Sequence, residues 1–167
     1  MVTYVLQQKD GFYYTEPILN EEDWYRVLLA ADNAQHRRQL DVLRMFLYQT
    51  GHKSTCARLS KLYSMSGSSI NSFVRLFGEF AQKNCGKEFR IESPEIEEDR
   101  YWPITMTGRR LKGGLFEWEL RPELVKALQH FLLAKMLKEY RGPVITEGLN
   151  NSRSEEIYKW EIINSVQ

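Results

Sequence analysis

Between Ser54 and Asn84 the apolar positions recur with a helical period that a short polar interval breaks once. Leu59, Leu62 and Tyr63 mark a first helix, for which Ser54 is the expected N-cap. Ile70, Phe73, Val74, Phe77, Phe80 and Ala81 follow i, i+3, i+4, i+7 and give a second helix one apolar stripe for a core. Between them, Ser64-Met65-Ser66-Gly67 predicts a tight turn in which Gly67 supplies a positive φ, and Ser68 then caps the second helix. The pattern is that of a helix-turn-helix.

The same periodicity, run along the rest of the chain, predicts the surroundings of this pair. Residues 2–8 and 12–16 are β-rich and meet at Lys9-Asp10-Gly11, which predicts a hairpin. Asn20 with Asp23 opens a helix through Trp24, Val27, Leu28 and Ala31; Arg37 to Thr50 forms another with Leu40, Leu43, Phe46 and Leu47 inward, ended by Gly51. Lys87 to Ile91 reads as a short strand, Glu92 to Asp99 as an acidic loop, and Tyr101 to Thr107 as a strand placed at an edge by Pro103. In Leu115 to Leu120, Phe116, Trp118 and Leu120 alternate with Glu117 and Glu119, so the aromatic face turns inward. Pro122 opens a helix that keeps its period through Leu124, Leu128, Leu132 and Met136 to about Tyr140 and stops at Gly142-Pro143. The fold class is therefore α+β: a helix-turn-helix, a small antiparallel wing sheet and a C-terminal helix, with a short N-terminal hairpin. Residues 1–142 make one winged-helix-like domain, and 143–167 a tail whose amphipathic piece holds Ile157, Trp160 and Ile163.

The outer face of the second helix changes the picture from fold to function. Ser69, Asn71, Ser72, Arg75 and Gln82 are expected there, short and polar, with no acid before Glu79. A helix that only needs solubility carries more Glu and Lys. Serines near a helix start let backbone approach a phosphate, and Asn and Arg match the edges of adenine and guanine, so Ser68, Ser69, Asn71, Ser72 and Arg75 are the candidate base readers. The same residues also fit a loop feeding an ordinary core helix, because helix-turn-helix geometry occurs without nucleic acid.

Net charge is only +1, but residues 50–90 carry +5 and residues 100–121 carry +3, against −5 for residues 91–99 and −2 for residues 1–49. This is the footprint of a phosphate-binding face, with Lys53, Arg58, Lys61, Arg109, Arg110 and Lys112 as its candidates. The last three sit in Gly108-Arg109-Arg110-Leu111-Lys112-Gly113-Gly114, a glycine-flanked loop of wing length that also reads as a solvated hairpin tip.

Two phrases carry a family resemblance: Gly67-Ser68-Ser69-Ile70-Asn71 with Phe73, Leu76 and Ala81, and Gly114 to Leu124 (GLFEWELRPEL) with Ala127-Leu128. Together with Trp24 and Trp102-Pro103, they resemble the N-terminal winged-helix-like module of bacterial HNH-type and other modification-dependent restriction endonucleases, over roughly Asn20 to Leu128. The resemblance implies target recognition on DNA.

Catalytic chemistry is not expected of this chain. No His-Asn-His segment is present, nor the separated Asp and Glu-x-Lys that hold magnesium in many nucleases. His36, His52 and His130 are scattered, and Cys56 and Cys85 have neither CxxC nor Cys/His spacing, so no metal, disulfide or cofactor is expected. Trp102 and Trp118 read as core rather than as a cage for a flipped base. With no apolar run of membrane length and no signal-peptide pattern, the expected location is cytoplasmic. The function expected is a double-stranded DNA-binding module, a recognition component of a restriction-type or regulatory system, non-catalytic alone. The alternative is a protein-interaction adaptor using the helical domain and the tail from Ser154 to Ile163.

Overall fold

The structure, a computed structural model, describes residues 1–93 and 101–139. Its strands are β1 (Val2–Val5), β2 (Gln7–Lys9), β3 (Phe12–Tyr14), β4 (Lys53–Thr55), β5 (Phe89–Glu92), β6 (Met106–Arg110) and β7 (Phe116–Leu120). Its helices are α1 (Glu21–Ala30), α2 (Arg37–Leu47), α3 (Cys56–Tyr63), α4 (Gly67–Asn84), α5 (Trp102–Thr105) and α6 (Pro122–Glu139). The expected acidic loop and the 143–167 tail, with the domain boundary before it, lie wholly or largely outside the described residues.

The α+β class holds, but the sheet is larger than a three-stranded wing. Five antiparallel strands run in the order β2-β3-β6-β7-β4. The Asp-Gly hairpin forms with Gln7 opposite Tyr14, and Asp10 (φ 52) and Gly11 (φ 78) supply the successive positive φ angles of a two-residue loop. Residues 2–5 leave it, however, and pair in parallel with β5, Val2 opposite Phe89. The strand expected at Tyr101 to Thr107 is corrected as well. Trp102–Thr105 is a helical turn with Pro103 in its opening positions, where a missing N–H leaves no helical bond unmade. The strand begins at Met106 and lies inside the sheet, between β3 and β7.

Helix starts follow local chemistry. At α1, Asn20 Oδ1 accepts the Asp23 N–H (2.9 Å) while Asp23 Oδ2 accepts the Asn20 N–H (3.0 Å), a reciprocal box. Helix α2 ends at Leu47, before the expected Thr50, and a 3-10 turn over Thr50–His52 follows, with Gly51 at φ 67. Ser54 is not a cap: it is buried in β4, and Thr55 Oγ1 caps α3 by accepting the Arg58 N–H at 3.1 Å. Nor does Gly67 make the turn. Ser64 takes the left-handed conformation (φ 54), Ser66 caps α4, and Gly67 is its first residue.

Helix α2 packs on β7 and β4, α4 packs on α2 and α1, and α6 packs on α1. Trp24 stacks on Phe77 at 6.2 Å, and Phe46 and Trp102 each lie 6.4 Å from Trp118, so both candidate cage tryptophans are core. Of the three residues that define α3 in sequence, only Leu59 is buried; Leu62 and Tyr63 are exposed, as is Met136 on α6. Gly78 lets α5 approach α4 closely, since a Cβ there would stand 2.2 Å from the Tyr101 carbonyl oxygen. Arg121 is buried, donating from Nε to the Pro103 carbonyl (2.9 Å), from Nη1 to the Thr15 carbonyl (3.3 Å) and from Nη2 to Thr15 Oγ1. Burial pulls its pKa down to about 10, partly countered by Glu123 and Glu16, so it stays charged near neutrality. Among the described residues no helix is long and apolar enough to cross a membrane.

Candidate nucleic-acid interface

The candidate readers are set by how α4 starts. Ser66 Oγ accepts the Ser69 N–H at 3.1 Å and donates to Ser69 Oγ at 2.7 Å, with Ser68 Oγ 3.2 Å away. Ser69 is thereby tied into the cap and half-buried. Ser68, Asn71, Ser72 and Arg75 are exposed, and at 3.6 residues per turn they fall within an arc of about 100°. Ile70, Val74, Phe77, Gly78 and Ala81 fill the opposite, buried side. Gln82, expected outward, instead donates from Nε2 to the Phe89 carbonyl at 2.9 Å and secures β5.

The acid that ends this stripe is already occupied. Glu79 accepts from Lys83 Nζ at 2.7 Å, and that bond, helped by Lys83 and Arg75 charge against a smaller effect of burial, holds its carboxyl below the ordinary range. Arg75 lies 4.0 Å from the other Glu79 oxygen, an ion pair without hydrogen-bond contact. Its guanidinium can be drawn outward at little cost.

The basic residues divide into groups. Arg58 and Lys61 stand three positions apart on the exposed side of α3. Lys53 on β4 is directly opposite Glu119, and Arg109 on β6 is opposite Glu117, with its guanidinium 5.7 Å from the Phe12 ring centre. Cross-strand pairs of opposite charge offset one another. Arg110 points to the other face of the sheet, in register with Phe116, and its N–H donates to the Gly11 carbonyl at 2.9 Å. The loop itself is short: Leu111 donates to Leu115 at 2.7 Å, leaving only Lys112 of the three on the turn. Gly108, Arg109 and Arg110 belong to the strand. The structure thus gathers four α4 side chains on one surface and two on α3, and separates Arg109 from Arg110.

The three histidines are engaged in the fold. His52 Nδ1 is 2.7 Å from the Leu47 carbonyl at the end of α2, His130 Nδ1 is 2.7 Å from Glu21, and His36 lies against Phe80 with Nδ1 2.9 Å from Asn33. Burial pushes the half-buried Cys56 thiol up to about 11, and Cys85 is buried and free. Lys87, counted among the basic residues, is spent on buried Asp23. Burial raises the Asp23 pKa, but the Lys87 hydrogen bond, the Asn20 N–H and the charges of Lys87 and Arg26 outweigh it, and the net shift is downward. Nothing local in the sequence joins residues so far apart. Among the described residues no three His, Cys, Asp or Glu side chains converge as metal ligands. No family model, curated protein or solved structure matches the chain.

Proposed function

We propose that the chain is a double-stranded DNA-binding module that reads bases with α4 and does no chemistry alone. The observation that carries this reading is the α4 surface: Ser68, Asn71, Ser72 and Arg75 exposed together, short enough to admit a groove edge, with the following acid neutralised by Lys83. We read α2, β4, α3, α4 and the β6–β7 hairpin as a winged helix, since β4, which precedes the helix pair, lies beside the second strand of the hairpin that follows it. In this reading β2 and β3 extend the sheet past the hairpin, and β5 with α5 is inserted between α4 and β6. A role as the recognition component of a restriction-type system follows from the sequence resemblance alone.

Arg58, Lys61, Arg110 and Lys112 would contact phosphates first, because Lys53 and Arg109 stand opposite Glu119 and Glu117, whose charges offset theirs. If all six engage, the slope of log K against log salt is about −0.9 for each, or roughly a thousandfold loss of affinity between about 50 and 200 mM. Electrophoretic shifts with plain and methylated duplexes over that range test the proposal. Binding should fall steeply with salt, survive EDTA, and leave supercoiled plasmid uncut with magnesium or manganese. Salt-insensitive retention, or metal-dependent nicking that survives repurification, would overturn it.

A further inference from the structure

We infer that Arg37 and Arg38, in the first turn of α2, form a second row of phosphate contacts, so that a duplex seated on α4 is gripped at both ends of that helix. The inference rests on the DNA-binding reading above.

Three observations converge on this pair. Both arginines are exposed, and they occupy the positive end of a helix that has no acid in its first turn and no side-chain cap from His36. The backbone dipole disfavours cations there. By contrast, α1 places Glu21, Glu22 and Asp23 in the same positions, where the dipole favours them. Second, the next acid along α2, Asp41, lies 3.7 Å from Arg44, and among the described residues neither Arg37 nor Arg38 forms an ion pair. Third, the His36 ring is 4.3 Å from Phe80, which brings the start of α2 against the C-terminal half of α4.

At the other end of α4, Gly67 abuts Cys56 of α3, the helix that carries Arg58 and Lys61. Gly67 and Phe80 are about 20 Å apart at 1.5 Å per residue. The starts of α2 and α3, each followed by a basic pair, therefore stand toward opposite ends of α4. A helix in a B-form major groove, about 12 Å wide, meets phosphate rows on both sides, and planar guanidinium groups suit such oxygens. Charge summed along the sequence conceals this second row, because it falls in a segment of net −2.

The test is fluorescence anisotropy of the full chain on labelled duplexes of several sequences across a salt series, comparing wild type with R37Q/R38Q and R37K/R38K. The glutamine variant should lose affinity alike on all sequences, with the salt slope smaller in magnitude by about 0.9 for each contact removed. Its Tm should be unchanged or higher, because a dipole conflict has been relieved, and the lysine variant should recover most of the slope. A glutamine variant with the wild-type slope overturns the inference and leaves the DNA-binding reading intact. A lowered Tm also overturns it, by assigning the pair to the fold. If the wild-type chain shows no salt-dependent duplex binding, the DNA-binding reading fails and this inference with it.

Discussion

Replacing Gly78 with alanine sets two effects on α4 against each other. In an open helix interior the change gains about 0.8–1.0 kcal/mol from helix propensity. Here the new Cβ would lie 2.2 Å from the Tyr101 carbonyl oxygen, 2.8 Å from its carbon and 3.1 Å from its Cβ. The first two are backbone atoms and cannot swing aside, so α5 must move off α4. Overpacking of this kind costs about 1–3 kcal/mol, and a backbone obstacle belongs at the upper end. The net expectation is a loss of about 1–2 kcal/mol, or a fall in Tm of roughly 2–8 °C for a chain of this size. Urea unfolding should show a lower midpoint at an unchanged m-value. Gly67→Ala is the internal control: its Cβ would meet Cys56 Cβ at 3.7 Å, an ordinary contact, and stability should stay within about 0.5 kcal/mol of wild type or rise. Because α5 runs directly into β6, the Gly78 variant should also bind DNA more weakly as the hairpin shifts against α4. A Gly78→Ala protein as stable as wild type would refute the close α4–α5 packing.

Four further expectations follow from the same geometry. Arg121→Met should destabilise by about 1–3 kcal/mol in denaturant titration, since it strands the Pro103 and Thr15 carbonyls and Thr15 Oγ1, and Arg121→Lys should rescue little because one ammonium cannot span all three. Arg75→Ala should lower specific affinity by about 1–3 kcal/mol and relax preference at one base position in a randomised-site assay; unchanged selectivity would remove α4 as the reader. Neutralising Arg109, Arg110 and Lys112 together should flatten the salt slope by about 0.9 per contact, with Arg109 giving less because the Phe12 ring already engages it and Glu117 opposite offsets its charge. Asp23 has a folded pKa below its ordinary 3.8, so its contribution is present above that value and disappears as pH falls through the folded pKa. The acid limb of Tm against pH should therefore be flatter in Asp23→Asn, and an unchanged limb would refute the Lys87 pairing.

What the sequence disclosed was whatever is decided within a few residues. The Asn20–Asp23 box, the Asp-Gly hairpin, the α4 stripe and the alternation of Phe116, Trp118 and Leu120 all have their causes within one turn or one pleat. Misplaced features had competing local solutions. Ser54, Thr55, Ser66 and Ser68 are all adequate caps, and neighbouring β4 pairing with β7 chose Thr55 over Ser54. Trp102-Pro103-Ile104-Thr105 has strand-like composition, but burial of all four in a helical turn overrode it. At the candidate site, the α4 face was legible because helical period assigns faces. The opposite directions of Arg109 and Arg110 were not, because alternation can be read only once the strand is known to include them. In sequence Arg121 is only the residue before a helix-opening proline; the convergence of Thr15 and Pro103 on it makes it a core group.

The parallel pairing of β1 with β5 has a consequence for how the molecule comes into being. Val2 is made before α1 to α4, and its partner Phe89 only after them. Met1, Val2 and Val5 stay exposed even in the finished fold, so the strand is held by its pairing with β5 more than by burial, and no local hairpin competes for it, because Gln7 is claimed by Tyr14. Pairings so distant along the chain are slow to close. The zipping of β1 onto β5 should thus be among the last steps by which this fold completes itself, after the helices between them are in place.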